Sequence, residues 1–247
     1  MTGEVSAARW AEAQAVEYEY WRGLTLAELL RICAEKSLFL EALEPARLSA
    51  LFEGKEVLEI GCGPLGLSVA SFYTHKRTLK RLVKVEPLPH LAVAEIAAAR
   101  VDWARAVIEW TEALAREGEY LQRPGEALDL SESFDTAITY NVIDHTQDPL
   151  GILHNAYAAL RPGGIILIGV DCFSALGRMK FEHYTRRTQK GAIVVDAHPH
   201  SFVPGKVMTL LAEAGYRDVE CLNLPTRFRR LAGSAFRATF FARKPAG

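Results

Sequence analysis

Hydrophobic positions change their period along this chain. From Leu26 to Leu40 they recur at helical spacing, with Leu26, Leu29, Leu30, Cys33, Ser37 and Leu40 on one face. Glu28, Arg31, Glu35 and Lys36 fall mostly away from that face. Ahead of this helix, Trp10, Tyr18, Tyr20 and Trp21 crowd aromatic side chains into a short stretch. Residues 1–52 therefore read as a helical cap. Its aromatics suit either packing on a domain edge or a lid over a ligand.

From Lys55 onward the period shortens to that of strands, and strands alternate with helices. Short apolar strands are predicted at Glu56 to Ile60, Arg81 to Val85, Glu119 to Gln122, Phe134 to Tyr140 and Ile165 to Val170, then at Val219 to Leu222 and Ala235 to Ala242. Helices are expected from Leu67, over Ala92 to Leu114, over Ile152 to Leu160 and over Val207 to Ala214. Pro162-Gly163-Gly164 and Gly215 supply the stops for the last two. This alternation implies an α/β fold, a doubly wound, mostly parallel sheet covered by helices on both faces. No helix separates the last two strands, so the sheet should end in an antiparallel C-terminal hairpin. The chain then divides into the N-terminal helical cap (1–52) and a main domain (53–247), with an insertion at 171–205 on the side where the fifth strand ends.

The first strand runs into Gly61-Cys62-Gly63-Pro64-Leu65-Gly66. Glycines between strand and helix let the backbone approach a ligand closely, and a helix N-terminus beyond them favours polar or anionic groups. The Gly61-x-Gly63-x-x-Gly66 spacing, with Glu86 at the end of the second strand 20 residues past Gly66, fits a ribose-containing cofactor. Taken alone, it does not separate a nicotinamide dinucleotide from S-adenosylmethionine.

A series of motifs in order separates them. Val57-Leu58-Glu59-Ile60-Gly61-Cys62-Gly63 resembles the first motif of the class I, Rossmann-like S-adenosylmethionine-dependent methyltransferases. Val83-Lys84-Val85-Glu86-Pro87-Leu88 resembles their second, and Gly125-Glu126-Ala127 the third, with glutamate where aspartate is commoner. Phe134 through His145 resembles the fourth, and Ala159-Leu160-Arg161-Pro162-Gly163-Gly164 the turn before the fifth strand. The resemblance implies S-adenosylmethionine as cofactor, with contacts from Glu59, Gly61, Cys62, Gly63, Glu86, Pro87, Glu126, Ala127, Asn141 and Val142. Within that set it gives Glu86 the ribose hydroxyls, and the carboxylate of Glu126 with a backbone amide the adenine. The implied activity is methyl transfer to an oxygen, nitrogen or carbon nucleophile of a small molecule. The alternatives are a nicotinamide-dependent oxidoreductase and a cofactor-binding partner protein that has lost turnover.

On the acceptor side, His145 follows the fourth strand, where an open parallel sheet presents ligands, and is the candidate general base. His198 and His200 lie in the insertion and are candidates for the acceptor pocket. A metal there would need a third ligand such as Asp196 or His183, and no metal is expected. Lys and Arg (29) nearly cancel Asp and Glu (30), which gives no general pull toward nucleic acid or an anionic membrane. The arginine cluster at 227–230 reads as a solvated hairpin loop. Four scattered cysteines, with no secretory pattern at the N-terminus, point to a reducing, cytoplasmic setting.

Overall fold

The computed structural model describes residues 4–73, 78–95, 102–184, 197–223 and 235–247. In chain order it contains α1 (Ala7–Arg22), α2 (Leu26–Glu41), α3 (Pro45–Phe52), β1 (Glu56–Ile60), β2 (Arg81–Glu86), α4 (Asp102–Ala115) and β3 (Glu119–Gln122). There follow β4 (Phe134–Tyr140), α5 (Pro149–Ala159), β5 (Leu160–Cys172), α6 (Ala175–Tyr184), α7 (Pro204–Glu213), β6 (Arg217–Cys221) and β7 (Phe236–Arg243). The seven strands form one sheet in the order β3-β2-β1-β4-β5-β7-β6. β1 to β5 are parallel, and β7 enters antiparallel between β5 and β6, with Gly169 opposite Thr239. The order reverses at β1, so the ends of β1 and β4 open a crevice, the place where such sheets bind ligands.

Alternation along the strands divides the core between the two faces of the sheet. Leu58 and Ile60 of β1, with Ile166, Ile168 and Val170 of β5, pack with α5 and α7. Val57, Ile165 and Leu167 face the other way, against Phe39 and Leu40 of α2 and Leu51 and Phe52 of α3. Both faces are therefore covered by helices. α2 and α3 contribute directly to this core, whereas Ala13 is the one buried residue of α1 among those described. α2 begins with a capping box, in which the side chains of Thr25 and Glu28 each bond the other's backbone N–H.

The structure changes three of the helices read from the sequence. The buried stripe of α2 is Leu29, Ile32, Cys33, Lys36, Phe39 and Leu40, while Leu30 is exposed. Among the described residues 67–73 there is no α-helix; a 3₁₀ turn, Ala70–Phe72, stands there. Of the long helix expected over Ala92 to Leu114, Asp102–Ala115 is helical and Val93–Glu95 is a 3₁₀ turn, while residues 96–101 lie outside the described residues. Near its expected start, the Leu91 N–H donates to the Pro64 carbonyl (2.9 Å), so the glycine loop holds the backbone just before that turn. No helix among the described residues is long and apolar enough to cross a membrane.

Candidate active site

The glycine loop is built by tertiary partners rather than by a helix. Glu59, fully buried in β1, accepts from the Ser68 hydroxyl and from the backbone N–H groups of Val69 (2.9 Å) and Ala70 (3.3 Å). From the other side Lys36 of α2 donates to the carbonyls of Cys62 (3.2 Å) and Leu67, with its Nζ 3.9 Å from Glu59. Lys84 of β2 donates to the carbonyls of Gly66 (3.0 Å) and Ala115 (2.6 Å). Burial lowers the pKa of Lys84, opposed by nearby Cys62 and Glu59. Backbone groups that would form a helix ladder are thus taken by three buried side chains, which explains why the expected helix is absent.

Gly61 and Gly63 have φ of +79° and +83°, a region that disfavours residues with a Cβ. A Cβ on Gly61 would lie 2.2 Å from Cγ2 of Val142, and one on Gly63 would lie 3.0 Å from the Trp21 ring. Gly63 therefore faces the space beneath α1, while Gly61 is needed first for packing. A bulkier residue at Gly61 would therefore strain the loop as well as fill ligand space.

Beside the loop lies a cavity of about 340 Å³, within the usual range for small-molecule sites. Gly61, Cys62, Gly63, Glu86, Pro87, Glu126, Asn141 and Val142 line it, as does His145. Two expected residues do not. Glu59 is turned into the protein to hold the loop, and the Ala127 N–H is bonded to the Pro124 carbonyl (3.0 Å). Glu126 lines the wall but is partly committed, since its Oε1 accepts from the Gln147 N–H (2.9 Å) and the Asp148 N–H (3.3 Å).

Glu86 is almost fully buried at the end of β2. Its carboxylate accepts from the N–H of Gly63 (2.9 Å) and of Leu88 (3.1 Å). Burial pushes its pKa up to about 7, and these two hydrogen bonds only partly oppose the rise. Asn141, just past β4, has φ +58°, and its buried Oδ1 has no partner. A polar atom left unpaired next to a cavity is an acceptor waiting for a ligand donor.

Aromatics of α1 suggested as a lid by the sequence also line the cavity. Trp10, Gln14, Glu17 and Trp21 of α1 close over it, and the Trp21 Nε1–H donates to Glu17 (2.9 Å). Trp10 Nε1 and Gln14 Oε1 are buried without partners. Tyr140, Asp171 and Arg237 complete the wall. The Arg237 guanidinium holds Asp171 by two hydrogen bonds (2.7 and 3.3 Å) and lies 4.8 Å from the Tyr140 ring centroid, with Nη1 buried and unpaired. Asp171, near the end of β5, pairs with Arg237, near the start of the antiparallel β7, so the sheet topology brings them together. The arginines at 227–230 and Asp196 lie outside the described residues.

The histidines also part ways. His145 Nδ1 is 2.9 Å from the Ala197 carbonyl, and its Nε2 is buried without a hydrogen-bond partner, 3.9 Å from Asp144. Burial lowers its pKa, but the Asp144 and Glu17 carboxylates outweigh that and raise it overall. Nδ1 is thus engaged by backbone, while Nε2 has no hydrogen-bond partner. The His198 ring lies tilted beside His145, centroids 4.1 Å apart, whereas His200 turns to the Thr146 carbonyl (2.9 Å). A bend at Pro199 separates two side chains that an extended segment would place together.

Comparison with known proteins follows the same lines. No curated protein matches the chain in sequence. An S-adenosylmethionine-dependent methyltransferase from Thermotoga maritima is similar in fold, at 19% identity and TM-score 0.53, over 96% of this chain and 99% of that one. The N-methyltransferase NodS from Bradyrhizobium japonicum, solved with S-adenosylhomocysteine, aligns at 17% identity and TM-score 0.50, over 86% of this chain and 87% of that one. A phosphoethanolamine N-methyltransferase from Haemonchus contortus, solved with phosphomonomethylethanolamine and S-adenosylhomocysteine, aligns at 15% identity and TM-score 0.56. That match covers 86% of this chain but 53% of the other. Residues 32–221 match the family model described as a methyltransferase domain, and the chain belongs to that family.

Proposed function

We propose that this protein transfers the methyl group of S-adenosylmethionine to an oxygen, nitrogen or carbon nucleophile of a small molecule. The observation that carries the reading is one continuous cavity with two unlike ends. At one end Gly61, Gly63 and Glu86 form a cradle with close backbone approach and a buried carboxylate suited to a ribose diol. At the other, Tyr140, Asp171 and Arg237 form a polar, aromatic wall suited to an acceptor. The relatives from Bradyrhizobium japonicum and Haemonchus contortus were both solved with S-adenosylhomocysteine, the product such a cofactor leaves.

The bound sulfonium supplies an already activated methyl group. The protein's task is then to hold the acceptor in line with it, and such positioning is worth about 7–11 kcal/mol. In this reading the unpaired Nη1 of Arg237 donates to an oxygen of the acceptor, and α1 keeps water out. His145 lines the same cavity, and the Ala197 carbonyl on its Nδ1 fixes the orientation of the ring. Incubating the protein with S-adenosylmethionine and candidate acceptors, and weighing the products, tests this reading. A mass gain of one methyl group on an acceptor supports it, and consumption of none across oxygen, nitrogen and carbon nucleophiles counts against it.

α1 offers a separate test, because it buries so little of itself. Deleting residues 1–23 should weaken S-adenosylhomocysteine binding by tenfold or more while lowering the melting temperature only slightly, read by calorimetry and thermal denaturation. Equal loss of both would make α1 a packing element and not a lid.

Glu86 gives a pH prediction. Its folded pKa, near 7, lies above its ordinary value of 4.5, so the folded chain holds the proton more tightly than the unfolded one. The stability linked to Glu86 is therefore complete below about pH 4.5 and is lost as pH rises through about 7. A ribose diol requires the ionised carboxylate, so cofactor affinity should run the opposite way and fall about tenfold between pH 8 and pH 6. Glu86→Gln should bind weakly and without this slope. An equally steep slope in Glu86→Gln would assign it to another group.

A further inference from the structure

We infer that Asp144, His145 and His198 form a site for a first-row divalent cation of the zinc and cobalt kind. One ligand atom from each residue lies within 4.8 Å of the others. Asp144 Oδ2 is 3.9 Å from His145 Nε2 and 3.7 Å from His198 Nε2. Donors around a tetrahedral ion with bonds near 2.0–2.2 Å stand roughly 3.4 Å apart, and the two carboxylate–histidine distances exceed that by only a few tenths of an ångström.

The protonation pattern gives the second, independent observation. A carbonyl can only accept, so the 2.9 Å contact to Ala197 fixes a proton on His145 Nδ1. In the neutral ring the lone pair then sits on Nε2 and points toward a carboxylate. That Nε2 is buried without a hydrogen-bond partner, 3.9 Å from Oδ2 of a carboxylate whose side chain is 3% exposed and whose other oxygen, Oδ1, is also buried and unpaired. Acceptors facing one another in a dry place need a cation between them. A backbone carbonyl holding the far nitrogen of a ligating histidine is also the usual support of a metal site.

The loop after β4 and the segment after α6 are already joined without any ion. The His200 N–H donates to the Asp144 carbonyl (3.1 Å), and His200 Nε2 meets the Thr146 carbonyl (2.9 Å). The ligands are thus held ready before the ion arrives. Two imidazoles and one carboxylate favour zinc or cobalt over magnesium or calcium. Three protein ligands leave at least one coordination position for water or another oxygen. The ion would tie the insertion to the loop carrying His145, which lines the cavity. The competing occupant is a second proton on His145, giving an imidazolium against Asp144.

Tag-free full-length protein, stripped with a chelator, distinguishes the two occupants when titrated with Zn²⁺ against a chromophoric chelator and with Co²⁺ by visible absorption. The metal site predicts one equivalent bound, Co²⁺ bands in the visible, and a rise in melting temperature with Zn²⁺. His198→Ala and Asp144→Asn should each weaken that binding at least about tenfold, and His154→Ala, on the exposed side of α5, should leave it intact. Failure of the wild-type protein to take up a stoichiometric ion would overturn the proposal and leave the proton as occupant. Unchanged affinity in both ligand variants would overturn it equally, by placing the ion elsewhere.

Discussion

Replacing Lys36 by methionine should cost about 3–5 kcal/mol of stability, the usual penalty when one partner of a buried ion pair is removed. The side chain is 6% exposed and Glu59 is fully shielded, so the carboxylate left behind keeps no nearby ammonium from α2. The carbonyls of Cys62 and Leu67 lose their donor in the same step. Since these two residues bracket the loop that approaches the ligand, S-adenosylhomocysteine affinity should fall together with the melting temperature. The joint variant Lys36→Met with Glu59→Gln should recover part of the stability, because it removes the stranded charge. Denaturant unfolding of the wild type and these two variants checks this. A Lys36→Met protein as stable as the wild type would mean that the lysine is not holding the loop.

The second large effect belongs to Gly61. Gly61→Val should abolish cofactor binding and destabilise the domain, from two additive causes. A residue with a Cβ at φ +79° costs about 1–2 kcal/mol, and overpacking against Val142 adds about 1–3 kcal/mol. Gly61→Ala combined with Val142→Ala should relieve the second cost and retain the first. Partial recovery of stability in that pair, measured by thermal unfolding, would separate the two. A Gly61→Val protein with wild-type stability would show that the loop tolerates the side chain by moving, contrary to the packing described.

Much of the sheet was legible because strands advertise themselves by apolar runs between turn residues. β3 and β4 match the sequence reading residue for residue, and the place of β7 between β5 and β6 agrees with the hairpin expected at the end of the chain. Glycine spacing and the acid after β2 located the cofactor end of the cavity for a similar reason, since both are local signals. What was not legible depended on distant partners. The helix after the glycine loop is lost to Glu59, Lys36 and Lys84, which lie on three different elements.

Lys36 did carry a signal. Leu29, Ile32, Cys33, Lys36 and Leu40 repeat at helical spacing, so a lysine interrupts an otherwise apolar stripe and should have been asked for its partner. No comparable signal exposed Asp171 and Arg237, which are joined only by the antiparallel insertion of β7. Nor did spacing foresee that His198 would meet Asp144 and His145 instead of His200. That pairing depends on the bend at Pro199 and on backbone bonds between two loops.

The most direct test of the account is calorimetric titration of the intact protein with S-adenosylhomocysteine and, separately, with a nicotinamide dinucleotide. The account predicts saturable binding of the first at one equivalent per chain and none of the second. Glu86→Ala should weaken that binding by about 1.5–3 kcal/mol, through loss of charge-assisted hydrogen bonds to the ribose. Binding of the nicotinamide dinucleotide without any affinity for S-adenosylhomocysteine, or affinity untouched by Glu86→Ala, would contradict the cofactor site proposed for this cavity.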